Sequence, residues 1–268
     1  MKRWISIALL ALTSACSTAP ADHALRAAVD NPQRTPAFAE RDVWRHPLQT
    51  LGFFGLRPEM TVVEISPGAG WYTEILAPYL RERGRLILAA DDPASSNGYQ
   101  RRSAERLQQK LGAMPALYDR VQLTVFDPPR QMALAAPASV DLVLTFRNVH
   151  NWAAEGDATV GAAFAAVYAS LKPGGVFGVV DHRLPADRLQ DAKASSGYLH
   201  TDYVVRLAQQ AGFVLAASSE VNANPKDTAD HDGGVWALPP TYANKDKNRA
   251  AYAAIGESDR MTLKFVKR

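Results

Sequence analysis

Five short polar stretches carry the groups that could do chemistry: Glu64 to Gly70, Asp91-Asp92, Asp127, Arg147 to Trp152 and Asp181-His182-Arg183. Each follows an apolar run. In Glu64-Ile65-Ser66-Pro67-Gly68-Ala69-Gly70 a carboxylate precedes a glycine-containing loop, whose bare backbone lets a ligand come close. A carboxylate there accepts hydrogen bonds from a neutral or cationic ligand and repels a pyrophosphate. Asp91, with Asp92 beside it, and Asp127 supply further acceptors. His150 and His182 can take a proton near neutral pH, Asp181 adjoins His182 in the chain, and Tyr72 and Tyr198 are hydroxyl candidates. Plainer readings stand beside these. His150 could be a cap or a hydrogen-bonded wall residue, Asp181-His182-Arg183 an ion-pair network, and each aspartate a turn former. His150, His182 and Asp181 could hold a metal, but no ligand spacing supports it, so none is expected.

Alternating elements must position these groups. Strands are expected at Thr61–Ser66, Leu86–Ala90, Val121–Phe126, Val140–Phe146, Val176–Val180 and Phe213–Glu220. Helices are expected at about Trp71–Arg83, Tyr99–Gly112, Thr159–Leu171 and Asp202–Ala211. Continuous apolar strands between helices predict a parallel sheet covered on both faces. Met261 to Val266 alternates, as an antiparallel strand near one edge would. In such an α/β sheet ligands lie beyond the carboxyl ends of the strands, where all five polar stretches fall. Ala24 to Gln49 reads as helical pieces broken by Pro32, Pro36 and Pro47, and residues 221–257 as a polar loop. Its length exceeds an ordinary connection, so it covers a substrate pocket or merely links two strands. Arg45-His46-Pro47 is either a lid or a helix end.

In this order, the strand tips resemble the class I S-adenosylmethionine-dependent methyltransferases over roughly Leu51 to Phe213, with the last strand as the seventh. The resemblance implies a Rossmann-like, seven-stranded, mostly parallel α/β sheet with an antiparallel last strand and helices on both faces. It implies S-adenosyl-L-methionine as cofactor, held by Glu64, Ser66, Gly68, Gly70, Asp91, Asp92, Asp127 and Asn148. Asp91, or Asp92, would take the ribose hydroxyls and Asp127 the adenine. Ser66 departs from the pattern, standing at its first glycine. Leu171-Lys172-Pro173-Gly174-Gly175 is a further hallmark. More narrowly, Arg45-His46-Pro47, Phe53 to Leu56, Arg147 to Asn151, Asn222 to Asp227 and Gly256 to Met261 resemble a group of exported, predicted methyltransferases.

Physical chemistry agrees with that cofactor. It carries a sulfonium, an ammonium and two ribose hydroxyls, which suit the acidic series. Trp71, Tyr72 and Phe146 could pack on adenine or the sulfonium. Methyl transfer then needs alignment and, for some acceptors, a base, for which His150, His182 and Tyr72 are the candidates. A nicotinamide-dependent oxidoreductase is disfavoured, because Thr73 stands where the third glycine of the dinucleotide fingerprint belongs. A non-catalytic exported binding protein that retains the fold is the alternative.

Residues 1–15 read as an export signal of lipoprotein type: Lys2-Arg3, an apolar Trp4 to Leu12, then small residues before Cys16. Cys16 would carry a lipid anchor, placing the protein at a bacterial membrane facing the periplasm. Ordinary cleavage after Ala15, Ala19 or Ala21 is the other reading. Residues 16–50 would form a tether and helical lead-in, and 51–268 the α/β domain. Loss of Lys2 and Arg3 takes the formal net charge from +3 to +1 and leaves no basic stripe, so a small-molecule substrate is expected rather than nucleic acid. The lone cysteine excludes an internal disulfide. Oligomeric state is not readable from these features.

Overall fold

The computed structural model describes residues 20–268. The leader and Cys16 lie outside them. Seven strands form one sheet: β1 (Thr61–Ile65), β2 (Arg85–Ala90), β3 (Gln122–Val125), β4 (Val140–Phe146), β5 (Leu171–His182), β6 (Phe213–Ser219) and β7 (Arg260–Lys267). Their order is β3-β2-β1-β4-β5-β7-β6, with β7 antiparallel to both neighbours and the other pairs parallel.

Alternation along the strands feeds two cores. Val63, Ile65, Ile87, Ala89, Val143 and Val179 point into one, whereas Val62, Leu86, Leu88, Leu142, Leu144 and Val180 point into the other. The first core is covered by α8 (Val149–Ala154), α9 (Asp157–Ser170) and α10 (Thr201–Gln210). The second is covered by α1 (Pro20–Val29), α4 (Pro47–Phe54), α5 (Thr73–Leu80), α6 (Gly98–Ala113) and α7 (Pro115–Tyr118). Leu25 and Ala28 of the lead-in are buried in that second core, beside Leu51 and Phe54 of α4. The α2 (Pro36–Ala39) and α3 (Asp42–Arg45) turns join α1 to α4. Gly178 on β5 admits α4, because a Cβ there would stand 2.8 Å from the Phe54 ring.

Two elements differ from expectation. β5 runs well beyond Val176–Val180 because it has partners on both sides, β4 and β7. The polar segment 221–257 is not simple loop. It holds a 3-10 turn, Gly234–Ala237, and α11 (Arg249–Ile255). Asp227 fastens it, accepting from the Tyr198 hydroxyl (3.0 and 3.1 Å), pairing with His231 Nε2 (2.7 Å) and accepting from the Asp259 N–H (2.8 Å).

Candidate functional site

The glycine loop leaves β1 through Ser66, whose φ of 46° is left-handed. That conformation costs a non-glycine residue about 1–2 kcal/mol. The Ser66 N–H donates to the Ala89 carbonyl (2.8 Å), tying the β1 tip to β2. Gly68 and Gly70 are also left-handed, at 57° and 78°. A Cβ on Gly68 would meet nothing within 4 Å, so the loop backbone faces open space there. Lys110 of α6 lies across Gly70 and pairs with buried Glu74 at the start of α5. Below the loop, Glu64 is buried and accepts from the Thr73 hydroxyl at 2.7 Å. Burial pushes its carboxyl up to about 7, against the opposing Thr73 bond. Thr73, which breaks the dinucleotide fingerprint, is thus the residue that holds Glu64.

At the β2 tip, Asp91 is half-buried. Desolvation raises its carboxyl, a hydrogen bond with Ser103 opposes this, and neighbouring Asp127 adds to the rise. Asp92 instead accepts the Ala94 N–H at 2.8 Å, the arrangement of a turn former. Beyond β3, Asp127 accepts from Arg130 Nε (2.7 Å), Arg130 Nη2 (2.9 Å) and Gln100 Nε2 (3.1 Å). The sequence marks Asp127 as an acceptor or a turn former but names no partner for it. Its arginine partner three residues on is largely exposed, and such a pair contributes little.

The aromatic rings are committed differently from expectation. Tyr72 stacks on Phe146 with centroids 3.6 Å apart, leaving no room for a ligand between them. Trp71 meets Tyr72 edge-on and lies under the Arg45 and Arg34 guanidinium groups, 4.7 and 5.2 Å from its centroid. Burial raises the Tyr72 phenol to about 12, against nearby arginines. Its hydroxyl donates to the Arg45 carbonyl at 3.5 Å.

Beyond β4, Asn148 Nδ2 donates to the Ile65 carbonyl and to Thr145 Oγ1, both at 3.1 Å, closing the β1–β4 junction. Strand alternation separates Asp181 from His182 and turns it to His150. His150 Nδ1 lies 2.8 Å from Asp181 Oδ1, and the His150 N–H donates to Oδ2 at 3.1 Å. With a carboxylate as its partner, Nδ1 is assigned as the donor, and Nε2 is the ring nitrogen left to accept. His182 Nδ1 instead meets Ser258 Oγ at 2.5 Å. Burial, His150 and the arginines Arg147, Arg260 and Arg45 push His182 well below the ordinary imidazole range. Arg183 turns outward to Asp259 and Glu220. The fold does bring one atom each of His150, Asp181 and His182 within 4.8 Å of one another, which the spacing did not foretell. The three guanidinium groups that disfavour a proton on His182 disfavour a divalent cation for the same electrostatic reason.

A buried charge cluster borders these histidines. Glu257 accepts from Arg41 Nε (2.7 Å), Arg45 Nε (3.1 Å) and Arg260 Nη1 (3.0 Å), and Arg147 Nη1 lies 3.8 Å away. Burial alone would raise Glu257, but Arg45, Arg260, Arg147 and Arg41 hold it at about 2. Sequence reasoning missed this group. Four of its members lie in stretches singled out for the resemblance, yet nothing local joins residues 41–45 to residues 257–260. A surface pocket lined by Arg57, Lys172 and Lys264 lies at the amino ends of β1, β4 and β5, away from all this chemistry.

No family model and no curated protein matches the chain. Solved structures match its fold. A SAM-dependent methyltransferase from Aquifex aeolicus aligns with TM-score 0.57 at 13% identity, over 92% of this chain and 98% of that one. The [4+2]-cyclase SpnF aligns with TM-score 0.56 at 14% identity, over 83% and 80%. A geranyl diphosphate C-methyltransferase from Streptomyces coelicolor A3(2), solved with Mg2+, geranyl diphosphate and S-adenosyl-L-homocysteine, aligns with TM-score 0.54 at 14% identity, over 91% and 88%. The fold is the Rossmann-like methyltransferase fold.

Proposed function

We propose that this chain is an S-adenosylmethionine-dependent methyltransferase acting on a small-molecule acceptor. One observation carries the reading. Buried Glu64 and half-buried Asp91 stand at adjacent strand tips around a loop whose backbone is open at Gly68. Those groups fit the cofactor. Glu64 favours its cationic end, the loop from Ser66 to Gly70 admits it, Asp91 accepts its ribose hydroxyls, and Asp127 shares its acceptors with the adenine. Asn148 shapes the floor by holding the β1 and β4 tips together.

The cofactor, when bound, supplies a methyl group activated by the sulfonium. The chain supplies alignment and a base. His150, with Nδ1–H fixed on Asp181, takes the acceptor's proton at Nε2. Trp236, whose ring centroid lies 6.1 Å from that of His150, walls the acceptor side from the 221–257 segment. His182 and Tyr72 stay neutral and shape the pocket rather than titrate.

Calorimetry with S-adenosylmethionine, S-adenosylhomocysteine and nicotinamide dinucleotides tests this. Binding of the sulfur compounds alone is expected. Silence from them at millimolar concentration would sink the reading. Saturable binding with no transfer to any acceptor would instead favour the non-catalytic alternative, and the cyclase among the structural neighbours makes that arm worth running.

We also propose that the protein is exported to the periplasm and lipid-anchored at Cys16, on the strength of the Lys2-to-Cys16 pattern. Equal fatty-acid labelling of the parent and Cys16→Ser would refute the anchor.

A further inference from the structure

The charge cluster around Glu257 is out of balance. Four guanidinium groups face one carboxylate, and Arg45, Arg260 and Glu257 are each below 5% exposed. Burying like charges together is costly unless each is paired. Two arginines would suffice to clamp α3 to β7 through Glu257. Arg41 and Arg45 do this from the α3 side, with Arg260 opposite, its Nη2 on the Trp44 carbonyl. Arg147 adds repulsion and almost no bonding. Its one ion pair is 3.8 Å long and its side chain makes no hydrogen bond among the described residues. Its φ is 63°, a left-handed conformation uncommon for a residue other than glycine. It is also 28% exposed, the most open member of the cluster. The Nε of Arg260, by contrast, is buried and without a partner.

Position adds to this. Arg147 directly follows β4, and its N–H donates to Val180 on β5 at 2.7 Å. It therefore stands at the tip shared by Asn148 and His150. The electrostatic influence of Arg147, Arg260 and Arg45 reaches both His182 and Tyr72, so the cluster borders the base on one side and the glycine loop's aromatic group on the other. The nearby carboxylate Asp181 makes its hydrogen bonds to His150 and the His182 N–H and pairs with none of these arginines, so it offsets the cluster only at a distance. The proposed cofactor, which carries two positive charges against one negative, would not neutralise it.

We propose that the acceptor bears a phosphate or diphosphate group, and that Arg147 receives it at the mouth of the Arg41–Arg45–Arg260 cluster. Four guanidinium groups on one carboxylate, with Asp181 unpaired to any of them, suit a multiply charged oxyanion better than a second single carboxylate. The guanidinium fork of Arg147 has its donors available for two phosphate oxygens. What the anion is attached to rests on the methyltransferase reading, but the anion site does not.

The test is calorimetry on the full-length chain with sodium pyrophosphate, methyl phosphate and citrate at fixed ionic strength, beside S-adenosylhomocysteine. Arg147→Asn removes the charge with a residue that tolerates the left-handed conformation. Circular dichroism checks its fold. Pyrophosphate is expected to bind the parent, and Arg147→Asn to weaken it by about ten- to a hundredfold while S-adenosylhomocysteine affinity stays within about twofold. Absent pyrophosphate binding, or equal binding to the variant, overturns the proposal. A preference for citrate overturns the phosphate assignment. Pyrophosphate binding without S-adenosylhomocysteine binding supports the anion site and removes the methyltransferase reading instead.

Discussion

His150 and Asp181, 31 residues apart, form one unit: ring nitrogen and main-chain N–H of the histidine both end on the aspartate carboxylate. The unit fixes a tautomer and an orientation together. Asp181→Asn keeps the shape but offers an amide where the ring needs an acceptor. Methyl transfer should fall by about a hundredfold or more, with S-adenosylhomocysteine affinity nearly unchanged. A rate loss under about threefold in single turnover would show that the acceptor needs no base here.

Glu64 makes the ligand-free protein respond to pH. Its carboxyl titrates near 7 folded against 4.5 ordinarily, so the folded state holds the extra proton between those values. Stability should then fall as pH rises from about 4.5 to 7 and level off above. Glu64→Gln should flatten that slope in urea titrations. A cationic ligand favours the ionised form, so its affinity should climb with pH towards 7 in the parent and stay flat in the variant.

Asp91 and Asp92 should behave differently. Asp91→Ala removes a half-buried acceptor and should weaken S-adenosylhomocysteine by about 1–3 kcal/mol. Asp92→Ala loses only the Ala94 turn contact and should leave affinity alone. The reverse pattern in calorimetry would exchange their roles.

Acid should act through Glu257. Its folded value of about 2 lies below the ordinary 4.5, so its stabilisation is complete above 4.5 and drains away as pH falls towards 2. His182, held neutral, works in the same direction below about 6.5. Glu257→Gln should cost about 3–5 kcal/mol at pH 7 by leaving the arginines unopposed, and much less at pH 3. A penalty independent of pH would contradict the cluster's charge assignment.

What was legible in the chain was what short-range pattern encodes. The runs from Val62 to Ile65 and from Val140 to Phe146 declare strands, and a polar residue at a strand's end lands at the ligand edge whatever the rest does. Glu64 and Asp91 are placed at the tips of β1 and β2 by that pattern alone. Partnerships were not legible. Asp181 adjoins His182 in the chain, yet the period-two alternation of β5 sends it to His150. Nothing local marks Arg130 and Gln100 as the partners of Asp127. The arginine cluster joins positions up to 216 residues apart and exists only after the sheet has closed. The helix α11 was missed because its neighbourhood is polar, and Tyr252 is its one fully buried anchor.

The place of β7 sets an order of events. The last eight strand residues slot between β5 and β6, and β6 has no other partner in the sheet. Glu257 and Arg260 arrive with them. Until β7 is in place, β6 has no partner in the sheet and the carboxylate that gathers Arg41, Arg45 and Arg147 is missing. Removing residues 257–268 would therefore take away, in one cut, the strand that holds β6 and the carboxylate on which the arginines converge.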